Sequence, residues 1–130
     1  MEQFKVQKKK KFEILGQHLT IDAYGISKEF LIDHKKFYDL LINLPETLGM
    51  HILIPPYVVS CEEGDMAGDW GVSGMVMIKE SHISAHGWPA LGYLSMDIYS
   101  CRPFDNTKTI SFLKKYWNWK RAKIQRLIRK

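Results

Sequence analysis

Only two cysteines, Cys61 and Cys101, occur in 130 residues. That is too few for a disulfide framework, so free thiols and a cytoplasmic setting are expected. No apolar run approaches the roughly 20 residues that cross a bilayer, so no membrane partner is expected. Lys8 to Lys11 lead straight into Phe12-Glu13-Ile14-Leu15, without the long apolar core of a secretory signal. Repeats, low-complexity linkers and any sign of a second domain are absent too, which argues for one domain over 1–130, its core drawn from a chain that is 45% hydrophobic. Familiar catalytic signatures are also missing. Gly71-Val72-Ser73-Gly74 misses the G-x-S-x-G spacing of a serine hydrolase. His82, His86 and Cys101 are legitimate zinc ligands, but H-x-x-x-H off a helix does not aim two imidazoles at one ion, and the glutamate of H-E-x-x-H is lacking. No metal is expected.

Charge of one sign is scarce in the body of the chain. Residues 1–11 and 114–130 hold thirteen of the nineteen basic residues and a single acid, Glu2. The remaining stretch, 12–113, has six bases against thirteen acids. The net charge of +5 is therefore a property of the two ends, which reads as solvated terminal charge rather than a nucleic-acid surface. Trp117 and Trp119 lie among the C-terminal bases, but beside Ile110, Leu113 and Tyr116 their spacing suits helix burial better than base stacking.

Along the chain, His18 to Tyr24 alternates and predicts a strand, stopped by Gly25. Ser27 is placed to cap a helix carrying Phe30, Leu31, Phe37, Leu40, Leu41 and Leu44. His51 to Ile54 with Tyr57 to Val59 predicts a second strand interrupted by Pro55-Pro56. An acidic loop, 60–70, follows. Gly71 to Ile78 and Leu91 to Cys101 predict strands separated by a turn around Gly87 to Pro89. Asp105 or Asn106 is placed to cap a last helix running to about Tyr116, and Ala122 to Ile128 reads equally as helix or edge strand. This order implies an α+β two-layer domain, a mainly antiparallel sheet with two helices on one face. The other face then needs cover, which points to a dimer of four layers.

Lys79-Glu80-Ser81-His82-Ile83-Ser84-Ala85-His86-Gly87-Trp88-Pro89 crowds reactive groups behind the apolar run Met75 to Ile78. Taken with its flanks, the stretch from 71 to 101 resembles the prokaryotic S-adenosylmethionine decarboxylase proenzymes. G-V-S-G, an apolar strand, E-S-H, H-x-W-P, G-Y, a strand ending in aspartate and a cysteine occur in order without gaps, and Gly16 to Leu19 matches an N-terminal G-x-H-L.

The resemblance implies a chemistry. The serine matching Ser81 attacks the carbonyl of Glu80, the resulting ester eliminates to dehydroalanine, and hydrolysis leaves a pyruvoyl group as the cofactor. The chain would be cut into 1–80 and 81–130. The pyruvoyl ketone then condenses with a substrate amine and withdraws electrons as carbon dioxide departs. By the same resemblance Ser73 and His86 assist processing, His86 at the proton lost in elimination, and Cys101 reprotonates the substrate carbon. Two protomers would pack face to face, with Ser81 and Cys101 of one meeting Ser73 and His86 of the other.

Two positions leave the family pattern. The aromatic residue that stacks on adenine falls at Ala67, and the glutamate after W-P that binds ribose is Ala90. Nearby stand Glu62, Glu63, Asp65 and Asp69, with Trp70 and Trp88. Together these features predict an amino-acid substrate with a cationic tail, arginine or ornithine, with Glu62, Asp65, Asp69, Trp70 and Trp88 at the substrate. The alternative is S-adenosylmethionine itself. A further alternative, a processing-dead homologue that regulates an active partner, is opposed by the intact Ser81, His86 and Cys101.

Overall fold

The computed structural model describes residues 9–130, so the first eight residues of the basic N-terminal stretch lie outside the described residues. Its elements follow in the order β1 (Gly16–Tyr24), α1 (Lys28–Leu31), α2 (His34–Thr47), β2 (Tyr57–Cys61), β3 (Gly71–Ile78), β4 (Ser81–Trp88), β5 (Tyr93–Ser100), α3 (Asn106–Trp117) and β6 (Arg121–Arg129). The six strands form one antiparallel sheet in the order β2-β3-β4-β5-β1-β6.

Alternation along each strand decides which face is covered. Leu19, Ile21 and Ala23 of β1, Leu94, Met96 and Ile98 of β5, Ile83 and Ala85 of β4, and Val76 and Ile78 of β3 are all buried. They form one core with Phe37, Leu40, Leu41 and Leu44 of α2 and with Leu113 and Trp117 of α3. Phe37 meets Trp117 edge to face at 5.0 Å, which ties the two long helices together over that face. Trp117 and Trp119 are both buried, so neither offers a ring for base stacking. The expected α+β architecture is thus present, and no helix among the described residues is long and apolar enough to cross a membrane.

Three local expectations need correction. The single helix capped by Ser27 is two: the Ser27 hydroxyl accepts from Phe30 N–H for one turn only, and the Asp33 carboxylate then caps α2 by accepting from Lys36 N–H. His51 to Ile54 is not a strand. Only Ile52 makes a bridge, to Ile78, and the ladder resumes at Tyr57 after two prolines that have no N–H to give it. The reactive stretch is itself a strand, β4. Its turns lie at Lys79-Glu80 and at Pro89–Leu91, a single 3-10 turn, rather than around Gly87. Ile83, Ala85 and Gly87 point inward while His82, Ser84, His86 and Trp88 point to the uncovered face, a strict alternation beneath the polar composition. The ambiguous C-terminus is the edge strand β6, nearly all of it exposed.

Candidate active site

The sequence-predicted residues gather in two places. The first is the hairpin turn between β3 and β4, where Ile78 pairs with Ser81 across the two-residue loop Lys79-Glu80. Two-residue hairpin loops favour a positive φ at the first or both loop positions, because only then does the turn twist with the strands. Neither Lys79 nor Glu80 has one; the positive value, +154°, falls on Ser81. A non-glycine residue held so stores about 1–3 kcal/mol of strain, here in the torsion about the Ser81 N–Cα bond, one bond beyond the Glu80–Ser81 peptide. Ser81 also pairs with Ser100 at the end of β5, so the next residue, the half-buried Cys101, arrives beside the turn. Its backbone N–H donates to the Glu80 carbonyl at 2.8 Å. A donor fixed on that oxygen polarises the carbonyl and is in place for the negative charge that forms when a nucleophile adds to it.

The Glu80 side chain is buried. Burial pushes its carboxyl up, but hydrogen bonds from the His51 ring and backbone, with the nearby imidazole charge, outweigh that and hold it below its ordinary value of 4.5. His51 had no place among the residues singled out from sequence.

The second cluster lies toward the other end of β4. Ser73 of β3 pairs with His86, and their side chains share a hydrogen bond, His86 Nδ1 to Ser73 Oγ, at 2.8 Å. The Trp88 indole N–H donates to Asp69 at 3.1 Å, and the Trp88 ring stacks on Tyr93 at 5.2 Å. Asp69, Trp70, Ser73, His86 and Trp88 line a small cavity of about 80 Å³. Five residues of extended chain separate Ser81 from His86 on β4, or about 16 Å. The single chain therefore does not bring the two clusters together. Nor does it bring His82 and His86 to one ion, since they stand four residues apart on the same strand, about 13 Å. No metal-holding cluster of histidine, cysteine and acidic residues occurs among the described residues.

The acidic loop is largely turned to its own uses. Glu63 accepts the Gly68 N–H at 3.1 Å, and Asp69 is engaged by Trp88. Glu62 and Glu63 line a groove with Ile32 and Val72 that does not include Ser73 or His86, though it shares Cys61, Trp70 and Gly71 with the small cavity beside them. Asp65 is exposed at the loop tip. Ala90 and the loop are neighbours, since a Cβ on Gly68 would meet the Ala90 methyl at 3.7 Å. The two departures from the family pattern thus fall in one region.

A family model described as S-adenosylmethionine decarboxylase matches residues 17–130. The chain belongs to that family. An S-adenosylmethionine decarboxylase proenzyme of Clostridium botulinum (strain Loch Maree / Type A3) is 31% identical over 115 residues, 88% of this chain and 93% of the relative. One from Methanococcus vannielii is 32% identical over 87 residues, 67% of this chain and 66% of that one. The crystal structure of the adenosylmethionine decarboxylase from Aquifex aeolicus superposes with a TM-score of 0.73 at 24% identity, covering 91% of this chain and 92% of that one. It shares the fold. Family membership makes the protein a pyruvoyl-dependent decarboxylase whose cofactor arises from a serine by autocatalytic cleavage. It also overturns one expectation. The relatives that match most of the chain are proenzymes of S-adenosylmethionine decarboxylase, so the arginine or ornithine substrate read from Ala67, Ala90 and the acidic loop is withdrawn.

Proposed function

We propose that this chain is an S-adenosylmethionine decarboxylase proenzyme that cuts itself between Glu80 and Ser81, as one domain that becomes chains 1–80 and 81–130. What carries the reading is the turn, with a positive φ at Ser81 and the Glu80 carbonyl hydrogen-bonded to the Cys101 N–H. The Ser81 hydroxyl adds to the Glu80 carbonyl carbon, the C–N bond breaks, and the acyl group passes to oxygen while the freed amine takes the proton. Loss of the Ser81 Cα proton then expels the Glu80 carboxylate. Water releases ammonia from the remaining enamine and leaves the ketone. That ketone, when formed, supplies an electron sink for a substrate amine.

His86, hydrogen-bonded to Ser73, is suited to take the Cα proton, and Cys101 to return one to the substrate carbon. Because the two clusters stand apart on β4, a complete site requires a second protomer, its sheet packed against the first. The cavity between Asp69, Trp70 and Trp88 is our choice for the nucleoside end, a tryptophan face replacing the aromatic residue absent at Ala67.

Denaturing electrophoresis and mass spectrometry test the cleavage. Wild type is expected as two fragments and Ser81→Ala as one, with carbon dioxide released from S-adenosylmethionine by wild type alone. A wild-type chain that stays whole and still decarboxylates would rule out the mechanism. A protein that cleaves but does not turn over S-adenosylmethionine would leave processing standing and remove the substrate assignment.

A further inference from the structure

We infer that His51 is a positioning residue for self-cleavage, holding Glu80 so that its carbonyl stays where Ser81 attacks it. The inference rests on cleavage between Glu80 and Ser81 and deepens that reading. His51 lies in the irregular segment between α2 and β2, yet it grips the turn at three points. Its backbone carbonyl accepts the Lys79 N–H at 2.7 Å, its backbone N–H donates to Glu80 Oε1 at 3.0 Å, and its ring Nδ1 lies 2.9 Å from Glu80 Oε2. An ionised carboxylate only accepts, so Nδ1 carries the hydrogen.

The segment is itself fastened alongside β3. Ile52 bridges Ile78, and Leu53 N–H donates to the Met77 carbonyl at 3.0 Å. The imidazole is mostly exposed while the carboxylate it holds is buried, so the ring reaches in from solvent to secure a charge that has no lysine or arginine partner among the described ion pairs.

The loop needs such a hold. Lys79 and Glu80 lack the backbone conformation that a two-residue hairpin loop prefers, so the turn is not self-sustaining. Glu80 is instead fixed from both sides, its carboxylate by His51 and its carbonyl by the Cys101 N–H. With the carboxylate freed, the loop can relax toward a favoured turn, which moves the carbonyl off its donor and relieves the strain at Ser81. The acyl shift uses both, so it is the step that suffers.

The test follows cleavage over time after brief expression of wild type, His51→Ala and His51→Asn, with and without hydroxylamine, which cuts esters and spares amides. The Asn side-chain amide can put its N–H near the place of Nδ1. We expect His51→Ala to convert at least about tenfold more slowly, the worth of a hydrogen bond to a charged group, and to resist hydroxylamine because it stalls before the ester. His51→Asn should recover most of the rate.

Cleavage of His51→Ala at the wild-type rate overturns the inference alone. So does a stalled His51→Ala that hydroxylamine cuts, since the histidine would then act after the acyl shift. Equal slowing in both variants, with an equal fall in melting temperature in the uncleavable Ser81→Ala background, makes the role structural and also overturns it. A wild-type chain that stays whole overturns the cleavage reading and this inference with it.

Discussion

At the scale of single residues, the site depends on close approach and on one buried charge. A Cβ on Gly71 would lie 1.8 Å from the Gly87 carbonyl oxygen and 2.9 Å from Pro89 Cδ, so only glycine lets β3 and β4 meet beside Ser73 and His86. Gly71→Ala is expected to cost about 1–3 kcal/mol or more in chemical denaturation. It should also weaken processing, because the strand that shifts carries His86. Glu80 gives a pH prediction. Its folded carboxyl is held below the ordinary 4.5, so the ionised form stabilises the fold above that value and the contribution is lost as pH falls through the lower folded one. Melting temperatures of Ser81→Ala and of the Ser81→Ala/Glu80→Gln double variant, followed between about pH 6 and 3, should therefore converge on acidification. Curves that run parallel would show that Glu80 is not held in this way. Ser73, Ser81, His86 and Cys101 stand out in the sequence as candidates because their motifs are contiguous. His51 does not, because it lies 29 residues from Glu80 and only the fold sets them together.

Elements were legible where one signal acted alone. β1, β3, β5 and α3 follow their alternation or helical period, and Asp105 caps α3 by accepting from Lys108 N–H at 2.9 Å. Errors arose where two signals compete. Ser27 and Asp33 are both competent caps six residues apart, and periodicity cannot tell one helix from two that share a face. In β4 the concentration of histidine and serine masks an inward row of Ile83, Ala85 and Gly87, and the burial of Ser84 blurs the alternation further. The double cap is checkable. Asp33→Ala leaves the first turn of the 14-residue α2 without its side-chain acceptor and is expected to cost about 1 kcal/mol in denaturation. Ser27→Ala removes the cap of a single turn that Leu31 anchors in the core, and should cost less than half of that, roughly 0.5 kcal/mol or below.

For the whole molecule, the feature on which the proposed function turns is the face of the sheet that the described residues leave uncovered. Met77, His82, Tyr99 and His18 line up across it from β3 to β1. Met75 and Met77 are about half exposed, and Tyr57 is 74% exposed. They border a groove of about 330 Å³ that runs up to Ser73 and His86. A face wanting cover was foreseeable, since both long helices were expected on one side. The division of the reactive residues was implied by the resemblance alone, not by composition or periodicity, because physically it follows from the register that sets Ser73 opposite His86 and Ser81 opposite Ser100. The two clusters serve one reaction only if a second copy, turned about a two-fold axis, lays its Ser73 and His86 over the first copy's Ser81 and Cys101. Co-expressed Cys101→Ala and His86→Ala chains then form mixed dimers with one site lacking both groups and one intact. Each variant alone should lose at least about a hundredfold in decarboxylation, the usual worth of a positioned acid or base. Random pairing places half of the protomers in mixed dimers, so the mixture should recover about a quarter of wild-type activity. A mixture no more active than its components, or a wild-type monomer at micromolar concentration in sedimentation, would mean that each chain completes its own site, and would require Ser81 and His86 to approach by a rearrangement of β4.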